Sequence, residues 1–401
     1  MPSVGATPEG NPRPGILVLN GVSWEAVREL FQAHVAVERL HPGAALSVYY
    51  RGRLVLDLVA GLADTQRGVL VRADTLFPLR SAGKPFASVA LLQLAERRRL
   101  ELEAPVVTYW PQFARHGKGA VTVQHLLTHR GGFADDLGGL EPRRWLDDEA
   151  VARALEELPL RSPPGTASSY SQLAQQWVSA ELVRRVDGRP FPAYLREEIT
   201  GPLGMDETYV GLPAELEGRV ARTHLTKATP PESFDAVWLN RPGVHQLPVP
   251  VFGVSTGRDM ARFYAALAAG GEVDNVRCLK AETVARALAV VVDGEWDHAL
   301  GGPVRRCLGF SLGGLHDAVA RTTGTYSTER TFYHDGAGTV LTWGDLDLQL
   351  TMAYLTNGFR PARYALARDP LGRTTVTLAP DDSGARRERL MSDAVRAAAS
   401  A

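Results

Sequence analysis

The chain has 401 residues, 45% of them hydrophobic and 22% charged, enough for two domains or one elaborate one around a large core. Lys plus Arg number 44 against 45 Asp plus Glu, and a formal net charge of -1 offers no electrostatic footprint for nucleic acid or an anionic membrane. The two cysteines, Cys278 and Cys307, match no metal or redox spacing and read as buried thiols. No apolar run approaches the roughly 20 residues that span a bilayer. The first residues lack a basic stretch followed by an apolar one, so a cytoplasmic location is expected.

The first dozen residues are rich in Pro and Gly and read as extended chain. "SWEAVRELFQAHVAVERL" opens on a Ser at the N-cap position and keeps helical spacing through Val27, Leu30, Phe31 and Val35. "AALSVYYRGRLVLDLVAGLAD" follows, two β-rich runs joined by Arg-Gly, which predicts an antiparallel hairpin. From about residue 82 to 300 the texture is mostly helical, broken by Pro- and Gly-marked loops such as "SPPGTASSY" and "NRPGVHQLPVPVFGVSTG". Strands return after about residue 305 in "CLGFSLGG", "RTFYHDGAG", "TVLTWGD" and "LQLTMAYLTNG". The tail reads as a helix with Leu390, Ala394 and Ala397 on one side.

This order predicts an α+β fold. One antiparallel sheet is built from both chain ends and flanked by helices, with a mainly helical region inserted in the middle. The expected division is a single unit over 1–400, with the sheet region at 15–80 plus 305–400 and the helical region at 81–304.

"FPLRSAGKPFASVALLQLAERRRL" contains Ser81 and Lys84 three residues apart. The segment after Lys84 is apolar nearly all round, as in a buried helix, and Pro85 belongs in its first turn. Ser81 then sits at the positive end of the helix dipole with Lys84 projecting beside it. A desolvated lysine loses proton affinity and becomes able to take a proton from a serine. The plainer alternative is a Ser that caps a helix and a Lys that snorkels outward. Two other stretches bear on the choice. "SPPGTASSYSQLAQQWVSAELV" brings Tyr170-Ser171-Gln172 to the start of a second helix, and "RTFYHDGAGTVLTW" puts His334-Asp335-Gly336 at a strand turn where glycines permit close backbone approach.

With "LELEAPVVTYWPQF", "VTVQHLLTHRGGF", "ITGPLGMDETYVGL" and "GVSTGRDMARFYAAL" in the same order, the chain resembles the serine β-lactamase and penicillin-binding-protein superfamily. Within it, the resemblance is to the class C-like family VIII carboxylesterases, over about residues 20 to 375. The resemblance implies Ser81 as the acylated nucleophile, Lys84 hydrogen-bonded to it, and Tyr170 sharing the proton shuttle. It implies an oxyanion hole from the backbone N–H groups of Ser81 and Ala337. It also implies substrate contacts at Gln172, His334, Asp335 and Gly336, with no cofactor and no metal.

Two departures from the superfamily's pattern carry meaning. Gln172 stands where Asn is common, which displaces a side-chain amide that contacts acylamide groups. His334-Asp335-Gly336 stands where Lys-Thr-Gly is typical, which replaces a fixed cation with a mostly neutral imidazole beside an acid. An uncharged small-molecule ester is therefore expected ahead of a β-lactam or a D-Ala-D-Ala carboxylate. The same acyl-enzyme would serve an acyltransferase of natural-product biosynthesis, with an amine or alcohol as acceptor. A silent binding protein would have no need for Ser81, Lys84 and Tyr170 together.

Several other features have two readings. "GFSLG" (Gly309 to Gly313) fits a G-x-S-x-G elbow around Ser311, but the following residues make a poor helix and a strand fits better. His125 and His129 in "HLLTH" have a spacing that could bind zinc but lack the Glu of a zincin. Asp135-Asp136 read as a solvated loop. Trp238 and Leu239 either line the acyl pocket or belong to a long loop with a buried Trp.

Overall fold

Strand β1 (Gly43–Tyr50) is covered on both sides: Ala45 and Tyr49 point into one core, and Ala44, Leu46 and Val48 into another. The computed structural model describes residues 23–400 apart from 136, 138, 226–239, 315–322, 360–363, 369–373 and 379–382. In it β1 turns at Arg51-Gly52 into β2 (Arg53–Asp64), the expected hairpin. Both turn residues have positive φ, 50° and 75°, as a two-residue hairpin turn requires.

Seven further strands complete a sheet: β3 (Val69–Leu70), β4 (Val292–Asp297), β5 (Gly302–Arg306), β6 (Ser311–Leu312), β7 (Thr331–Gly336), β8 (Val340–Asp345) and β9 (Leu350–Thr356). Their order is β3-β2-β1-β9-β8-β7-β6-β5-β4, antiparallel at every pairing. The two chain ends meet at its centre, where Ser47 pairs with Ala353 and Leu46 with Tyr354. The sheet also claims β4 and the start of β5, so its C-terminal share starts ahead of residue 305, with β4 inside the stretch read as helical and β5 across its boundary.

One face of the sheet is covered by the helices Trp24–Gln32 and Ser383–Ser400, through Val27, Phe31, Met391, Val395 and Ala398. Of the three residues expected on one side of the terminal helix, Ala397 is buried and Ala394 packs against the core, while Leu390 is 38% exposed and Met391 and Val395 are buried. Polar contacts hold the same helix. The buried Arg387 donates to Gly338 O at 2.7 Å, and the Arg396 guanidinium lies 4.0 Å from the Trp343 ring centroid.

The other face carries the helix Pro85–Glu96, buried from Pro85 to Leu94 as its composition predicts, and the helix Gly257–Ala268. Phe86 meets Phe263 edge-on at 5.0 Å, and Tyr264 stacks on Phe332 of β7 at 5.5 Å. These contacts lock the helix that follows Ser81 to the strand that carries His334 and Asp335.

Candidate active site

Ser81 lies in a 3-10 turn, Arg80–Gly83, that runs directly into the helix beginning at Pro85, where a proline costs little because its missing N–H would have no helical partner. Lys84 is the junction residue and is buried. Its Nζ donates to Ser81 Oγ at 2.8 Å and to Tyr170 OH at 2.8 Å. Burial lowers the amine from the ordinary lysine value to about 7, and the carboxylates of Asp135 and Asp335 oppose the shift. Near neutral pH a substantial fraction of Lys84 is therefore uncharged. Burial, with Asp335 acting in the same direction, keeps the Tyr170 phenol protonated.

Tyr170 precedes the helix Ala174–Asp187, whose first backbone N–H groups are capped from a distant loop. Asp135 accepts from Ser171 Oγ at 2.5 Å and from the backbone N–H of Gln172, Leu173 and Ala174 at 2.6, 3.0 and 3.1 Å. The reading of Asp135 as solvated loop is thus corrected: it is the N-terminal cap of this helix. Asp136 lies outside the described residues. His129 accepts from Ser171 N–H through Nδ1 at 3.0 Å, and its ring lies 4.6 Å from that of Tyr170. Burial and nearby Arg306 hold this imidazole neutral. His125 instead closes a capping box with Thr122. The two imidazoles therefore each serve a separate backbone bond.

β7 brings His334 to 6.2 Å from the Tyr170 ring. His334 Nδ1 donates to Asp335 O at 3.0 Å, and burial lowers the imidazole to about 3, so it is neutral. Burial pushes the half-buried Asp335 carboxyl upward, and Lys84 pulls it back. The strand end is pressed against the turn that carries Ser81: a Cβ on Gly336 would stand 2.4 Å from Leu79 O. Ala337 follows with φ 23° and is exposed. Gln172 is also exposed, with its backbone held by Asp135. Trp238 and Leu239 lie outside the described residues.

Ser311 lies in the two-residue strand β6, paired with Tyr333, so the G-x-S-x-G elbow is not formed. Cys278 and Cys307 are free and buried, as expected. Among the described residues no helix is long and apolar enough to cross a membrane.

A sequence profile described as Beta-lactamase matches residues 27–377. The chain belongs to the Beta-lactamase family. Among curated proteins it is 31% identical over 271 residues to Esterase/beta-lactamase LipL of Mycobacterium tuberculosis, covering 60% of this chain and 62% of LipL. The chain thus spans about three fifths of that relative's length. Among solved structures, a novel penicillin-binding protein homolog from Caulobacter crescentus superposes with a TM-score of 0.75 at 28% identity, covering 94% of this chain and 99% of the homolog. A family VIII carboxylesterase superposes with a TM-score of 0.75 at 25% identity, covering 94% and 98%.

Sequence reasoning missed three residues of this site: Asp135 as an anchor, and Asp297 and Arg306, which bind Tyr170 and Ser168 from β4 and β5. The Gly-Gly turn before Asp135 marks a loop, but no local signal says which helix that loop caps.

Proposed function

We propose that this protein is a serine hydrolase that cleaves carboxylic esters through an acyl-enzyme on Ser81. The observation that carries the reading is the amine of Lys84, buried and depressed to about 7, in contact with both Ser81 Oγ and Tyr170 OH. Neutral Lys84 takes the Ser81 proton as Oγ bonds to the ester carbon. The carbonyl electron pair moves to the oxygen, where the N–H groups of Ser81 and Ala337 receive it. As the C–O bond breaks, Tyr170 protonates the departing alkoxide and recovers a proton from the Lys84 ammonium. Water then attacks the acyl-enzyme, giving its proton back through the same pair and releasing Ser81. The neutral His334 supplies no cation for a substrate carboxylate, which supports an uncharged acyl donor. The names of LipL and of the family VIII carboxylesterase point the same way.

The test is peptide mass spectrometry after exposure to a fluorophosphonate, with ester turnover followed in parallel. The expected result is a stoichiometric adduct on Ser81, absent from Ser81→Ala, together with steady hydrolysis of short neutral esters by the wild type alone. An adduct on Ser311, or none, would overturn the reading. Capture of most of the acyl group by a dilute added alcohol or amine would convert it to acyl transfer.

A further inference from the structure

Tyr170 has a second set of contacts that the proton shuttle does not use. Asp297 ends β4 and Arg306 ends β5, and both side chains are buried, 0% and 3% exposed. Asp297 Oδ1 accepts from the backbone N–H of Tyr170 at 3.1 Å, and from those of Ala299 and Leu300 at 2.9 and 2.8 Å. Its Oδ2 accepts from Arg306 at 2.7 Å and from Ser168 Oγ at 3.1 Å, and Arg306 also donates to Ser168 Oγ at 2.5 Å. The Arg306 guanidinium carbon lies 5.9 Å from the Tyr170 ring centroid.

A buried ion pair is a poor source of stability, since an apolar pair of similar volume often does as well. Its position against the phenol is what needs explaining. The groups around Tyr170 are Ser81, Lys84, His129, His334, Asp135, Asp335 and Arg306. Burial, Asp335 and Asp135 all disfavour negative charge on the phenol oxygen, and Ser81 and Arg306 oppose them.

We propose that Asp297 and Arg306 are positioning residues that act on the reaction through Tyr170. Asp297 fixes the backbone of Tyr170. Arg306 holds a buried positive charge against the ring, stabilising the phenolate formed when Tyr170 gives its proton to the leaving group. The proposal rests on the acyl-enzyme reading above. In the step concerned, the ester C–O bond breaks, the alkoxide takes the Tyr170 proton, and the phenolate is reprotonated by the Lys84 ammonium. Arg306 exchanges no proton.

The test compares two esters of one acyl group in wild type, Arg306→Gln, Arg306→Lys and Tyr170→Phe. A p-nitrophenyl ester departs without being protonated, whereas an ethyl ester needs the acid. Arg306→Gln is expected to lower kcat/KM, which reports the acylation step in which the alcohol leaves, roughly 30-fold more for the ethyl ester than for the p-nitrophenyl ester, with Arg306→Lys recovering most of the difference. Tyr170→Phe is expected to show the same leaving-group dependence, and the Tyr170→Phe/Arg306→Gln pair no further differential loss. Asp297→Asn/Arg306→Gln removes both charges together and leaves no unpaired buried carboxylate, so it provides the same reading if the single variant fails to fold. Equal losses on the two esters, or no loss, in a folded variant would overturn the positioning role. Absence of wild-type turnover and of a Ser81 adduct would instead overturn the hydrolase reading beneath it.

Discussion

Lys84 and Lys118 are both buried, 2% and 0% exposed, and burial lowers both amines, to about 7 and about 8. Their partners differ in kind. Lys84 touches two hydroxyls, which can accept from an ammonium or donate to a free amine, so either protonation state is satisfied. Lys118 donates to three backbone carbonyls, Arg115 O at 2.9 Å, Glu156 O at 2.7 Å and Leu158 O at 2.6 Å. Carbonyls accept only, and an ammonium alone has a proton for each of them. Lys118 therefore ties the end of the helix Asp148–Glu157 to the segment Pro111–Ala120, while the partners of Lys84 leave it free to gain or lose a proton, as the proposed mechanism requires. Burial makes a lysine easier to deprotonate, and its neighbours decide whether deprotonation is of use.

Three experiments would break or sharpen that contrast. The largest effect is expected for Lys84→Met, which removes the proposed base and should lower kcat on the order of 10³-fold or more while leaving a folded protein. A Lys84→Met enzyme within a few-fold of wild type would assign the base to another group. Lys118→Met should do the reverse. It leaves three buried carbonyls without a donor and should cost about 3 kcal/mol of stability, read from the denaturant midpoint. Its kcat should stay within about twofold of wild type, since Lys118 touches no reacting atom. The smallest effect is set by pH. Lys84 must be neutral to accept the Ser81 proton, so kcat/KM should be full above pH about 7 and fall as pH drops through that value. The loss should approach about tenfold per pH unit on the acid side. An acid limb near the ordinary histidine value that survives in a His129→Gln variant would still fit Lys84, whereas one abolished by that change would not.

Parts of this site were legible in the chain because they depend on local spacing. Ser81 and Lys84 are three apart across a turn that Pro85 ends, and the apolar run behind them marks the helix as buried. Helix and strand signals placed Tyr170 at a helix start and His334 at a strand turn, and the family resemblance of those two segments is what brought them to the site. Asp135 was misread because its partners are some 36 to 39 residues away, at a helix N-terminus where Ser171 Oγ accepts from Gln175 N–H but the N–H groups of Gln172, Leu173 and Ala174 turn to Asp135. Arg306 and Asp297 left no local trace for the same reason: they meet Ser168 and Tyr170 across 138 and 127 residues. Leu390, Ala394 and Ala397 were read as one side of the terminal helix, and of these Ala397 is buried and Ala394 packs against the core while Leu390 is exposed.

The sequence by itself determined the fold class, the central hairpin and the buried helix after Ser81, because period, turn residues and proline placement act over a few residues, whereas the pairing of Ser81 with Lys84 was implied by the family resemblance of the motifs. Tertiary structure alone decided that Asp135 and Asp297 grip the Tyr170 loop, that Arg306 lies against the Tyr170 ring, and that burial lowers the His334 imidazole so far. Each of those depends on desolvation and on hydrogen bonds between segments far apart in the chain. Such contacts exist only once β4, β5 and β7 and the helices around Ser81 have packed together.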